Sequence, residues 1–136
     1  MMTEVVFVCA HGNAKSLIAS EWFNRLASER GIPAHATARG LTPENPVPPR
    51  IATRLQEEGM DVSGFEARAF VPADLDGAQR VVLIGVDPPS WAERSRVNPE
   101  TWNGIPPASE GYDQSRDAML SRIEALLTEL GSQPTR

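Results

Sequence analysis

The sequence predicts an α/β domain: a parallel sheet with helices on both faces and an anion-binding loop after its first strand. Three observations carry that prediction. Two apolar runs, VVFV at residues 5–8 and RVVLIGV at residues 80–86, lack the in-and-out alternation of a half-solvated strand and suit strands covered on both faces. A helical period takes over soon after the first run. Strands and helices then alternate along the chain, the order that builds a parallel sheet through crossover connections.

The elements follow in order. The first strand, residues 5–8, ends on Cys9, the chain's one cysteine. From Ser16 a helix is predicted, with Ile18, Trp22 and Leu26 on one face and Leu17, Ala19 and Phe23 beside them, while Glu21, Asn24 and Arg25 face away. Gly31, with Pro33 beyond it, stops the helix. Residues 34–38 make a short second strand. Pro43, Pro46, Pro48 and Pro49 mark a loop over residues 41–49. A helix from about Arg50 places Ile51 and Leu55 on its apolar face and ends around Gly59. Residues 67–70 offer a short third strand, residues 72–75 a turn of helix, and residues 80–86 a second fully buried strand. Residues 97–113, rich in Pro, Gly, Asn and Ser, read as a long loop. Met119, Ile123, Leu126, Leu127 and Leu130 define an amphipathic last helix closed by Gly131. One domain over residues 1–131 with a polar tail over 132–136 is expected. The arginine-bearing AERSRV, residues 92–97, reads as solvated surface.

Bulk composition narrows the function. The chain has 136 residues, 40% hydrophobic and 23% charged, a globular balance. A net charge of -5 argues against a nucleic-acid surface, which needs clustered Lys and Arg. No apolar run approaches the roughly 20 residues of a membrane span. The start MMTEVVFVCA has no basic region before its apolar segment and reads as a core strand rather than a signal peptide. A single cysteine excludes an intrachain disulfide, so a reducing, cytoplasmic setting is expected.

The chemistry gathers around Cys9. In a parallel sheet, the loop after the first strand lies at the carboxyl edge, where ligands bind. Ala10, His11, Gly12, Asn13 and Ala14 are mostly small or turn-forming, and Gly12 and Asn13 tolerate the positive φ of an anion-cradling loop. Amides at the start of the Ser16 helix point to the same place. Together with Lys15 and the helix dipole they favour a thiolate at Cys9, and the Ser16 hydroxyl can donate to its sulfur. The alternative is an inert, buried cysteine. Strand, cysteine, five-residue loop, cation, serine and helix in succession favour the anion site. The nucleotide-binding pattern G-x-x-x-x-G-K-[ST] is not met, since neither of its glycines is present.

The run from Cys9 to Ser16, CAHGNAKS, resembles the C-x5-R-[ST] loop of low-molecular-weight protein tyrosine phosphatases and the related thioredoxin-type arsenate reductases. Its histidine two residues after the cysteine places it nearer the arsenate-reductase branch. The resemblance extends through ATARG (residues 36–40), residues 47–70, residues 80–87 and the last helix. It implies a three-layer sandwich with a four-stranded parallel sheet. By the same likeness, Cys9 attacks phosphorus or arsenic, and the loop amides with the cation at Lys15 hold phosphate, arsenate or a similar oxyanion. In the phosphatases, an aspartate in a late loop protonates the leaving group.

The chain departs from that pattern in three respects. Lys15 replaces arginine, keeping charge but losing the two-pronged grip on an oxyanion. The late loop, residues 101–113, has Pro106 and Pro107 without the expected Asp-Pro; Asp87, Glu110 and Asp113 are the candidate acids, with Asp113 equally placed to cap the last helix. No further cysteine is present for a disulfide relay, so arsenate reduction requires an external, low-molecular-weight thiol. His11 either touches the anion or braces the loop, and Trp91 and Trp102 either wall the pocket or pack over the sheet edge. Three functions stay open: a phosphatase working through phosphocysteine, a small-thiol arsenate reductase, and an impaired module that binds an oxyanion or a phosphoprotein. None calls for a cofactor or a metal.

Overall fold

The computed structural model describes residues 2–92, 97 and 99–131. Most of the arginine-bearing segment 92–97 and the polar tail 132–136 thus lie outside the described residues. The order is β1 (Thr3–Cys9), α1 (Lys15–Glu29), β2 (Ala34–Gly40), α2 (Pro49–Glu57), α3 (Pro72–Gly77), β3 (Arg80–Ile84), β4 (Glu100–Trp102) and α4 (Tyr112–Gly131). The sheet runs β2-β1-β3-β4 and every pairing is parallel. The architecture is the predicted one: four parallel strands between helical layers.

The uninterrupted apolar runs explain the central strands. Odd residues of β1, Val5 and Phe7, face α1 and α4 together with Val82, Ile84 and Trp102; even residues Val6 and Val8 meet Val81, Leu83, Phe70 and Leu75 of α3. Phe7 anchors the first layer, its ring 5.9 Å from Phe23 and 5.4 Å from Trp102. Side chains of this size contribute about 1.5–3 kcal/mol each when fully buried. On α1 the buried arc comprises Leu17, Ile18, Ala19, Phe23 and Ala27, with Trp22 and Leu26 at its margin. Gly31, at φ 65°, ends that helix. Among the described residues no helix is long and apolar enough to cross a membrane.

Three local expectations are corrected. Residues 67–70 are not a strand: they make one isolated bridge, Gly40 to Ala69. Gly40 donates to the Arg68 carbonyl and accepts from Phe70, but the next outward carbonyl back along β2, that of Ala38, takes the Arg39 guanidinium at 2.9 Å, and beyond it the Asn24 amide occupies the N–H and C=O of Ala36. The stretch 97–113 is not all loop, because residues 100–102 form β4 against Val82, Leu83 and Ile84. Asp113 does not precede the last helix. Tyr112 begins α4, and the Asp113 carboxylate pairs at 2.6 Å with Arg54 of α2. In addition, β3 stops at Ile84 because Gly85 turns to φ 68°.

Candidate active site

The register of the sheet builds the site. Cys9 closes β1 directly beside Gly40, the last residue of β2. The two strand ends then run on together, Leu41, Thr42 and Glu44 donating their amides to the carbonyls of Cys9, Ala10 and His11. Asn13, buried, donates its side-chain amide to the carbonyls of Glu44 at 3.0 Å and Pro46 at 3.3 Å. The loop after Cys9 is therefore pinned along its outer side by residues 40–46. The approach is closest at two glycines. A Cβ on Gly40 would stand 2.6 Å from the Gly12 nitrogen, and one on Gly12, itself at φ 70°, would stand 2.8 Å from the Gly40 nitrogen.

Inside this frame the thiol has three donors or partners. The amides of Gly12 and Ser16 point to Cys9 Sγ at 3.3 and 3.4 Å, and Ser16 Oγ lies 3.0 Å from it. Cys9 and Ser16 are both buried. Helix α1 begins behind Ala14 with no side-chain cap, which leaves its first amides available to an anion. Above the thiol opens a cavity of about 120 Å³, lined by Cys9, Ala10, His11, Asn13, Ala14, Lys15, Ile84, Gly85 and Val86. Lys15 reaches across it: its Nζ lies 3.1 Å from where a Cβ on Gly85 would be. It is the only lysine among the chain's thirteen basic residues. Among the described residues it forms no ion pair.

A second groove shares Ala14 and is lined by Pro48, Arg50, Ile51, Ala108 and Ser109. None of the three candidate acids lines either space. Asp87 is exposed just beyond β3, and Glu110 is exposed in the turn before α4. Asp113 is tied to Arg54, and the hydrogen bond from that guanidinium holds its carboxyl below the usual 3.8, as an anion rather than a proton donor. Around it Arg54 stacks over Tyr112 and Tyr112 donates to Glu58, which also pairs with Arg116. Burial, then the Glu58 contact, pushes the Tyr112 phenol up. That cluster joins α2 to α4 and does not reach the thiol.

The remaining candidates separate clearly. His11 turns Nδ1 to the Thr42 carbonyl at 3.1 Å and the Glu44 carboxylate at 3.1 Å. Trp102 is buried against Phe7, and Trp91 stacks on Phe70 with ring centroids 5.0 Å apart. Both indoles pack over the sheet rather than walling the cavity. Sequence reasoning missed Gly40, Thr42, Glu44 and Gly85. A signal for Gly40 existed: parallel strands of equal length beginning in register must end side by side. Among the described residues, no group of three His, Cys, Asp or Glu side chains is placed to hold a metal.

The site is thus a cysteine contacted by two amides at the carboxyl edge of a parallel sheet, with one lysine lining the same cavity. The model of the family described as low molecular weight phosphotyrosine protein phosphatase matches residues 4–87, and the chain belongs to that family. The family is one of enzymes. Membership supports a cysteine-based chemistry, phosphatase-like or arsenate-reducing, without fixing the substrate. Comparison with curated proteins gives no sequence match. Among solved structures, YfkJ from Bacillus subtilis is similar at TM-score 0.85 and 18% identity, over 99% of this chain and 98% of that one. An arsenate reductase in the phosphate-binding state matches at TM-score 0.76 and 22% identity, over 95% and 99%. The arginine phosphatase YwlE, as a mutant with a phosphorylated active-site serine, matches at TM-score 0.85 and 17% identity, over 96% and 97%. At these identities the likeness is one of fold.

Proposed function

We propose that this protein is a cysteine-dependent phosphatase that hydrolyses phosphate monoesters, of the phosphotyrosine kind, through a phosphocysteine at Cys9. The observation that carries the reading is the set of contacts on one sulfur: two amides at 3.3 and 3.4 Å and the Ser16 hydroxyl at 3.0 Å, beneath a cavity crossed by Lys15. The two amides donate to sulfur and the Ser16 hydroxyl can do so, an arrangement suited to a nucleophile in the first step and a leaving group in the second. The phosphoryl oxygens take the loop amides and the first amides of α1. Lys15 supplies charge to the equatorial oxygens. Attack of the thiolate forms the S–P bond and breaks the P–O bond to the ester oxygen. Water then attacks phosphorus, the S–P bond breaks, and inorganic phosphate leaves.

Arsenate reduction is the second reading, favoured by the lack of a carboxylic acid among the described residues lining the cavity. Arsenate needs no organic leaving group to be protonated. With one cysteine in the chain, a small external thiol must attack the arseno-cysteine and carry away the oxidising equivalent. A reducing compartment, the cytoplasm, suits either chemistry.

Hydrolysis of p-nitrophenyl phosphate tests the proposal, with Cys9→Ser as control and the phosphocysteine trapped by rapid acid quench and mass spectrometry. Turnover that Cys9→Ser abolishes, with the adduct on Cys9, is the expected result. Thiol consumption in proportion to arsenate without ester hydrolysis selects the reductase. Phosphate binding without either activity leaves a module that only holds an oxyanion or a phosphoprotein.

A further inference from the structure

Three titratable residues line the cavity over the thiol: Cys9, Lys15 and His11. On the phosphatase reading, on which this inference rests, Cys9 attacks and Lys15 balances the charge of the phosphoryl group. The leaving oxygen still requires a proton. The candidate carboxylic acids are all elsewhere, and Asp113 is held as an anion by Arg54. We infer that His11 is the proton carrier of this site and that Glu44 is its positioning residue.

The geometry has the form of a base oriented by a carboxylate. His11 Nδ1 stands 3.1 Å from the Thr42 carbonyl and 3.1 Å from Glu44 Oε2. The Thr42 hydroxyl, 3.3 Å from the same nitrogen, has the Ala10 carbonyl to donate to, and the Thr42 carbonyl and Glu44 carboxylate can only accept; we assign the hydrogen to Nδ1, which makes the exchangeable proton the one on Nε2. Such contacts fix the tautomer and orientation of an imidazole and stabilise it when it is charged. The partners are not accidental neighbours. The same segment is zipped to the loop by the amides of Leu41, Thr42 and Glu44, so the ring and its orienting carboxylate move as one body with Cys9.

Protons balance over both steps. As the thiolate bonds to phosphorus and the ester P–O bond breaks, the Nε2 proton passes to the departing oxygen. The neutral ring then accepts a proton from the water that attacks phosphorus, while the S–P electron pair returns to sulfur. Inorganic phosphate leaves and the imidazolium is restored.

The test compares leaving groups. kcat/KM is measured for phenyl phosphate, whose phenol has a pKa of about 10, and for 2,4-dinitrophenyl phosphate, whose leaving group departs as the anion. His11→Asn keeps an amide donor toward the Thr42 carbonyl but carries no transferable proton. We expect its loss on phenyl phosphate to exceed its loss on 2,4-dinitrophenyl phosphate by about 30-fold or more, within the usual range for a general acid. Glu44→Gln shows the same selective loss to a smaller degree, in kcat rather than in KM. A purely structural brace moves both esters equally, so equal losses, or none, overturn the assignment. Inhibition by inorganic phosphate is measured alongside to report on the oxyanion loop. Absence of any Cys9-dependent turnover in the unaltered protein removes the phosphatase reading itself, a result distinct from equal losses, and this assignment falls with it.

Discussion

Gly40→Ala strikes the site without touching a reacting group. The added Cβ would lie 2.6 Å from the Gly12 nitrogen and 2.6 Å from the His11 carbonyl carbon, both backbone atoms that no rotamer change can move aside. Ordinary contact begins near 3.4 Å, so loop and strand end must part by about 0.8 Å. A shift of that size along the Gly12 amide would stretch its 3.3 Å contact with Cys9 Sγ to about 4.1 Å, where no hydrogen bond remains. Overpacking of this kind costs about 1–3 kcal/mol of stability. Misplacing catalytic groups by nearly an ångström costs roughly 100-fold in rate. Urea denaturation measures the first and kcat/KM for p-nitrophenyl phosphate the second. Gly64→Ala, at a glycine with nothing within 4 Å, is the control and should shift neither by much. If Gly40→Ala stays within about 0.5 kcal/mol of the parent and turns over as fast, the glycine-on-glycine contact does not set the loop.

Two further outcomes follow from the same geometry. Lys15→Arg restores the forked donor and should raise kcat for p-nitrophenyl phosphate by about tenfold or more; a fall would mean that the space against Gly85 is fitted to an ammonium. Asp113→Asn bears on acid stability. The Arg54 contact lowers this carboxyl in the folded state, so its contribution is present above the ordinary 3.8 and is lost as pH falls through the lower, folded value. Denaturation midpoints taken between neutral pH and about pH 2 should therefore drop more steeply for the parent than for Asp113→Asn; identical acid limbs would refute the pairing.

Much of this molecule is legible along the chain, and what is not has a common cause. Val5, Phe7 and Val82 announce buried strands because both faces of the sheet are covered, and the strand-loop-helix around Cys9 is written in contiguous residues. The strand Glu100–Trp102 is hidden: three residues between prolines and glycine carry no period, and β3 alone supplies their pairing. Residues 67–70 have the composition of a strand yet find only Gly40 to bridge, since the Ala38 carbonyl, next along that edge of β2, takes the Arg39 guanidinium. Asp113 looks like a cap until Arg54, 59 residues away, takes its carboxylate. In each case the deciding partner is distant in sequence, and the parallel register brings it near.

The chain's single thiol and its single lysine amine face the same small cavity. Reagents selective for either group, which in most proteins scatter over a surface, converge here on one loop. A thiol-directed dye and a lysine-directed one therefore report the same event, the filling or emptying of the space above Cys9, and protection of both by one ligand maps that ligand without mutation. The twelve arginines are unreactive to such reagents, and label on the α-amine is told apart by its peptide.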